Sequence, residues 1–266
     1  MIFRIWKGCV PRSRQNEVGN TSVESWELVL YYAPFYLFQI LTPGVRIMSM
    51  GSRNESFEVG SIYHIFSRGV EKRAIFLDDD DRYRMIMLFR HCLPRNLGLS
   101  FSNARKLHRI SEWTTEGQGL VDVLCYCLMD NHIHLLLREN IEHGMTKYLQ
   151  RVLNGYAKYF NLNYGRSGPL FGSRFHAVRI MNDEQLLHAS RYIHINPAVA
   201  KMTTNILAYP WSSIRHYVKY EGAESYAHTS LITALLSEVE YEKFVLDQIN
   251  YEQSLAAFPK LFIDEE

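Results

Sequence analysis

The chain predicts an α+β fold in which helices pack against one antiparallel sheet, and three observations carry that expectation. Short apolar runs of strand character occur around residues 61–69, 121–138 and 175–180. Longer stretches with helical spacing of apolar residues stand between and after them. The resulting order, strand, helix, strand, strand, helix, strand, is that of a βαββαβ unit.

Taken in order, Ser61–Gly69 reads as a strand ended by glycine. The acidic run Asp78 to Asp81 suits a helix N-terminus, where the helix dipole favours negative charge. Tyr83 to Phe89 continues as an amphipathic helix halted near Pro94. The polar stretch Ser111 to Gly119 reads as a loop. Val121–Leu128 and His132–Arg138 read as two strands joined by a tight Asp130-Asn131 turn. A second helix is expected from Gly144 to Asn161, with Met145, Tyr148, Leu149, Val152, Tyr156 and Tyr159 on one stripe. Lys147, Arg151, Asn154 and Lys158 trace another stripe of the same helix. After a turn at Gly165 to Gly168, Phe175–Ile180 reads as the last strand.

A third helix is expected to start at Asn182 or Asp183, where Asn182 and Gln185 form a capping box, and to end at about Asn196 because Pro197 follows. Its core stripe is Leu186, Ala189 and Ile193. The whole describes a ferredoxin-like sandwich with an antiparallel sheet, an extra N-terminal segment and C-terminal helices. Three regions result: an N-terminal extension over 1–55, a main patterned domain over 56–218, and a helical segment with an acidic tail over 219–266. Met48 and Met50 precede the patterned region and are candidate alternative starts.

Composition is that of an ordinary globular protein, 47% hydrophobic, with 29 Lys+Arg against 28 Asp+Glu. A net charge of +1 predicts no partner, so a nucleic-acid surface must come from local clustering. From His143 through Asn182 there is no Asp or Glu, while Lys147, Arg151, Lys158, Arg166, Arg174 and Arg179 fall inside. The apolar run Leu28 to Leu41 is broken by Pro34 and is shorter than the roughly 20 residues of a spanning helix, so no membrane contact is expected. Its acidic flank, Glu24 and Glu27, argues against a signal peptide. Cys9, Cys92, Cys125 and Cys127 show no disulfide spacing, which points to a reducing cytoplasm. Cys125 and Cys127, one residue apart, read as core more readily than as zinc ligands.

The candidate chemistry starts from His132 and His134. Alternate residues of a strand share a face, so both imidazoles project together while Ile133, Leu135 and Leu137 pack inward. Two histidines are too few for a closed structural metal site. Taken alone, such a pair is more often structural. On the third helix, Tyr192 and Asn196 lie one turn apart on one face, with His188 a turn behind. The Asn196 amide oxygen can complete a three-ligand open site for a hard divalent ion, with Tyr192 a helical turn away. A tyrosine of ordinary pKa, about 10, needs activation before it attacks anything at neutral pH. The plain alternatives are a core tyrosine, a helix-capping asparagine, and a basic stretch that is merely a solvated face. A hydrolytic metalloenzyme using an activated water is a further reading.

At these residues the sequence resembles the single-tyrosine HUH transposases, and more narrowly the REP-associated tyrosine transposases and their insertion-sequence relatives. The resemblance rests on Tyr63-His64-Ile65-Phe66-Ser67-Arg68-Gly69, on Tyr126 through Leu136, on Gly168-Pro169-Leu170-Phe171 with Arg174-Phe175, on Tyr192-Ile193-His194-Ile195-Asn196-Pro197, and on Trp211-Ser212-Ser213. These blocks span about residues 60 to 218. The resemblance implies that His132, His134 and Asn196 bind Mg²⁺ or Mn²⁺ and that Tyr192 is the nucleophile. It implies single-stranded DNA with hairpin (palindromic) elements as the partner, nicked through a 5′-phosphotyrosine, by a monomer or homodimer. Arg68, Lys147, Arg151, Lys158 and Arg174 are the candidate DNA contacts, and a domesticated hairpin-binding protein without cleavage is the alternative. Two departures stand out: Asp130 where the family usually has proline, and Gly172 where it often has glutamine.

Overall fold

The computed structural model describes residues 47–49, 57–109, 114–172, 175–219 and 226–257, with backbone only for 47–49 and 250–257. The N-terminal extension apart from 47–49, part of the loop at 111–119, and Arg174 lie outside the described residues. The strands are β1 (Ile47–Ser49), β2 (Ile62–Arg68), β3 (Val121–Met129), β4 (His132–Glu139) and β5 (His176–Ile180). The main helices are α1 (Asp79–His91), α2 (Phe101–Lys106), α3 (Gly144–Asn163), α4 (Asp183–Val199) and α5 (Glu238–Ala257). The sheet runs β1-β5-β2-β4-β3, and every neighbouring pair is antiparallel. Its four longer strands with the helices make an α+β architecture consistent with a ferredoxin-like fold.

The strand alternation decides what each face of the sheet does. Tyr63 and Ile65 of β2, Ile133, Leu135 and Leu137 of β4, and Ala177 of β5 enter the main core beneath α1 and α3. On β3 a bulge between Val123 and Cys125 shifts the register, so Val121 and Val123 before it and Tyr126 and Leu128 after it all reach that same core. From α3, Met145, Tyr148, Leu149, Val152 and Tyr156 are buried against the sheet, while Tyr159 is half-buried. Each such side chain contributes about 2 kcal/mol by leaving water. The tyrosine hydroxyls are satisfied within the core, Tyr148 donating to Phe89 O at 3.2 Å and Tyr156 to Ile75 O. The opposite face carries His64, Phe66, His132 and His134, and α4 packs on it over β3 and β4.

The first helix starts as its acidic run predicts. Asp78 caps it by accepting from Asp81 N at 2.8 Å. Asp81 is fully buried, and it accepts from Leu77 N and from the hydroxyls of Tyr159 and Tyr164, each at 2.8 to 2.9 Å. Those two aromatics of the acid-free stretch are thus committed to structure. The six-residue α2, capped by Ser100, has no counterpart in the sequence expectation, because a run that short shows no resolvable period.

The third helix departs from expectation at its end. It does not stop at Asn196 but runs through Pro197 to Val199. Proline removes one N–H and crowds the carbonyl four residues back, which costs about 3 kcal/mol in an open helix. Here Pro197 and Ala198 are buried, and the Asn196 side chain donates to Tyr192 O at 2.6 Å. Packing and that extra bond outweigh the local penalty. The following turn closes with Ala200 N donating to Asn196 O at 2.9 Å.

Glu139, at the end of β4, is buried and accepts from Met145 N at 2.6 Å at the start of α3. Burial raises its pKa to about 7, outweighing the backbone hydrogen bonds that pull it down. A carboxyl whose folded pKa lies above its unfolded value favours the folded state when protonated. Its contribution is therefore full at low pH and is lost as pH rises through about 7. Glu139→Gln is expected to flatten the fall in stability between about pH 4.5 and 7, checked by urea unfolding across that range.

Among the described residues no helix is long and apolar enough to cross a membrane.

Candidate functional site

The β2–β4 register assembles half of the site. Arg68 lies opposite His132, Phe66 opposite His134, and His64 opposite Leu136, which brings His64 diagonally beside His134. The turn between β3 and β4 is Asp130-Asn131, fastened from α1 by Arg82 to Asp130 at 2.6 Å. An ion pair here holds the turn at the position where the resembled family usually has proline. Gly69 closes β2 where a Cβ would lie 2.4 Å from Arg73 O, so the chain can make this corner only without a side chain.

The other half comes from α4. The Tyr192 ring centroid lies 5.6 Å from that of His134 and 5.8 Å from that of His64, edge-on to both. The His132 and His134 centroids are 4.9 Å apart. Asn196 stands one turn beyond Tyr192, and its amide nitrogen is committed to the Tyr192 carbonyl. That leaves the amide oxygen as the ligand-type atom.

The hydrogen bonds around the imidazoles are specific. Asn131 donates through Nδ2 to Lys72 O at 3.0 Å, so its Oδ1 faces His132 Nδ1 at 2.6 Å. His64 Nε2 lies 3.0 Å from His134 Nδ1. His134 Nε2 is buried with no hydrogen-bond partner. An orphaned buried ring nitrogen is unusual, and it is what a metal-ligand position presents before a metal binds. Among the described residues no three His, Cys, Asp or Glu side chains gather as a metal site. Two neutral imidazoles and an amide oxygen are donor types that a divalent ion accepts.

Electrostatics keep the three imidazoles neutral. Burial brings the His64 pKa down to about 4. Burial, then the Arg68 charge, brings His132 to about 4, with Asp130 opposing. His134 is held well below the ordinary value by burial, the two neighbouring histidines and Arg68. All three imidazoles are uncharged at neutral pH, the state that can ligate. Burial pushes the Tyr192 phenol up to about 12, while a hydrogen bond from the Asn196 side chain and the Arg68 charge act against that rise. Arg68 is exposed, and its charge is felt by His132, His134 and Tyr192 together.

Three of the other expected DNA contacts, Lys147, Arg151 and Lys158, are placed elsewhere, and Arg174 lies outside the described residues. Lys147, Arg151 and Lys158 sit on α3, which packs on the sheet face opposite the histidines. Arg151 forks onto Pro94 O at 2.7 Å and onto Cys92 O and Arg95 O at 3.3 Å, and Lys147 reaches Arg95 O at 3.4 Å. Both tie down the segment 92–95 that follows α1. Lys158 is exposed. His188 turns to Arg191 at 2.7 Å and packs near Phe244 of α5. Cys125 and Cys127 are buried free thiols, with burial raising both pKa values.

Some contributors carried no role in the sequence reading. His194 is fully buried, with Nδ1 at 2.7 Å from Tyr241 Oη of α5 and Nε2 at 2.8 Å from Ser213 Oγ. Ser213 in turn accepts from Tyr126 N at 2.8 Å and donates to Tyr126 O at 3.2 Å. A serine–histidine contact without solvent access has no substrate to act on. It fastens α4 to β3 and to α5, and so sets where Tyr192 stands. The signal for it lay in the Trp-Ser-Ser and Tyr-Ile-His-Ile-Asn-Pro blocks, though nothing local links them.

Fold and site together define an α+β protein in which a two-histidine strand faces a tyrosine-bearing helix. No protein-family model matches the chain, and no curated protein matches it. Among solved structures, that of a REP-associated tyrosine transposase bound to a REP hairpin is similar at 16% identity, over 67% of this chain and 91% of that chain, with a TM-score of 0.43.

Proposed function

We propose that the protein is a metal-dependent single-strand DNA endonuclease and strand transferase that acts beside DNA hairpins through a 5′-phosphotyrosine. The observation that carries this reading is the placement of the Tyr192 ring 5.6 Å from the His134 ring, whose Nε2 is buried and unpartnered. His132, His134 and Asn196 would hold a Mg²⁺ or Mn²⁺ ion, which would polarise the scissile phosphate and offset charge in the transition state. Tyr192 supplies the nucleophile. Its Oη loses a proton and bonds to phosphorus, the bond to the 3′-oxygen breaks, and that oxygen takes up a proton. Reversal by another 3′-OH rejoins strands, and no nucleotide cofactor is needed because the phosphotyrosyl bond conserves the energy of the diester.

Arg68 is the cation positioned to meet the phosphate backbone at this site. Arg68→Ala is expected to weaken single-strand binding across sequences and to lower the slope of log K against log salt by about 1. Fluorescence anisotropy at several salt concentrations measures both.

The reading is tested by nicking of a hairpin-flanked oligonucleotide with Mn²⁺. A product with a free 3′-OH and protein on the 5′ end supports it. Hairpin binding that survives loss of His132, His134 and Tyr192, with no nicking by the intact protein under varied metals, makes it a non-cleaving hairpin-binding protein instead. Turnover without any adduct would indicate hydrolysis by an activated water.

A further inference from the structure

We propose that His64 is a positioning residue that fixes His134 in the tautomer whose Nε2 carries a lone pair, as Asn131 does for His132. The inference rests on the metal reading above and concerns how the apoprotein prepares the two rings. For His132 the assignment follows from the amide. Asn131 Nδ2 is spent on Lys72 O, so Oδ1 faces the ring, and a carbonyl oxygen can only accept. Nδ1 of His132 is therefore the donor, and its Nε2 is left with the lone pair.

For His134 the contact is between two ring nitrogens 3.0 Å apart, one of which must donate. If His64 Nε2 donated, His134 would carry its proton on Nε2. That would put an N–H, buried and without an acceptor, where a ligand lone pair is required. With His64 accepting, His134 donates from Nδ1 and Nε2 offers the lone pair. His64 lies on the neighbouring strand and is 1% exposed, so its ring has little freedom to leave the contact. Two chemically different side chains, an amide and an imidazole, thereby place the same demand on two adjacent rings. A neutral imidazole without such a partner is free to carry its proton on either nitrogen, so the hydrogen bond on one nitrogen decides which of them faces the ion.

Long-range ¹H–¹⁵N NMR on histidine-labelled, metal-free protein reads the tautomers directly. The expected result is pyrrole-type Nδ1 and pyridine-type Nε2 for both His132 and His134. A wild-type His134 protonated on Nε2 overturns the proposal without any variant. Titration with Mn²⁺ alone, read by electron paramagnetic resonance, extends the test. His64→Leu is expected to lose about ten- to a hundredfold in Mn²⁺ affinity. His64→Gln, whose amide oxygen can accept from Nδ1, should recover most of it. Unchanged affinity in folded His64→Leu overturns the proposal. Wild-type protein with the expected tautomers but no Mn²⁺ uptake supports the positioning role and overturns the metal reading instead.

Discussion

Replacement of Tyr192 by phenylalanine is expected to abolish covalent capture of DNA while leaving the fold and hairpin affinity intact. The phenol is half-buried, and the bond from Asn196 Nδ2 to the carbonyl of residue 192 survives the change, so losing one oxygen costs little stability. The ring still packs edge-on to His134 and His64. The effect on reaction should be large, because removing a covalent nucleophile costs on the order of 10⁴-fold or more. Incubation with Mn²⁺ and a 3′-labelled hairpin oligonucleotide, followed by denaturing electrophoresis, reads the adduct. An adduct formed equally well by the phenylalanine variant shows that another residue attacks. With the phenol pKa pushed up to about 12, the uncatalysed protein holds Tyr192 protonated at neutral pH. On the proposed reading, attack would therefore depend on the Arg68 charge and on a divalent ion that His132, His134 and Asn196 would hold.

His194→Ala is expected to destabilise the protein by about 3–4 kcal/mol, the sum of a cavity and of the two buried hydrogen bonds to Tyr241 and Ser213 that are lost. The imidazole is fully buried between Tyr241 and Ser213, and burial brings its pKa to about 3, so it acts as a neutral double hydrogen-bonder. In a chain of this size the loss corresponds to a melting temperature lower by roughly 10 °C. Thermal unfolding followed by circular dichroism measures it. A change below about 1 kcal/mol would mean that α4 is held by apolar packing alone. The variant also bears on function, because α4 carries Tyr192 and Asn196. Adduct formation by the folded fraction should fall by more than binding does, since a misplaced nucleophile harms the reaction before it harms the contact.

Much of the architecture was legible because it is local. Period-two alternation places His132 and His134 on one face and Ile133, Leu135 and Leu137 on the other, and the sheet keeps that division. The acidic run at Asp78 and the Asn182 cap begin helices where side-chain oxygens meet free N–H groups. The end of α4 was not legible. Proline's local penalty is a fact of sequence, whereas the burial of Pro197 and Ala198 that outweighs it depends on residues far along the chain. The basic residues of α3 show the same limit. Their stripe is visible in the sequence, but that α3 packs on the sheet face away from the histidines, with Lys147 and Arg151 tying down the segment after α1, follows only once the helix has packed.

The sequence by itself determined which residues could share a face: the histidine pair by strand alternation, and Tyr192 with Asn196 by one helical turn. Tertiary structure alone decided that these two faces meet. It also decided that His64 bonds to His134 across 70 residues, and that His194 joins Ser213 and Tyr241 across 19 and 47. The physical reason is that periodicity is written by neighbours a few positions apart, whereas a hydrogen bond between buried rings is settled by which strands and helices come together. No local pattern records that choice.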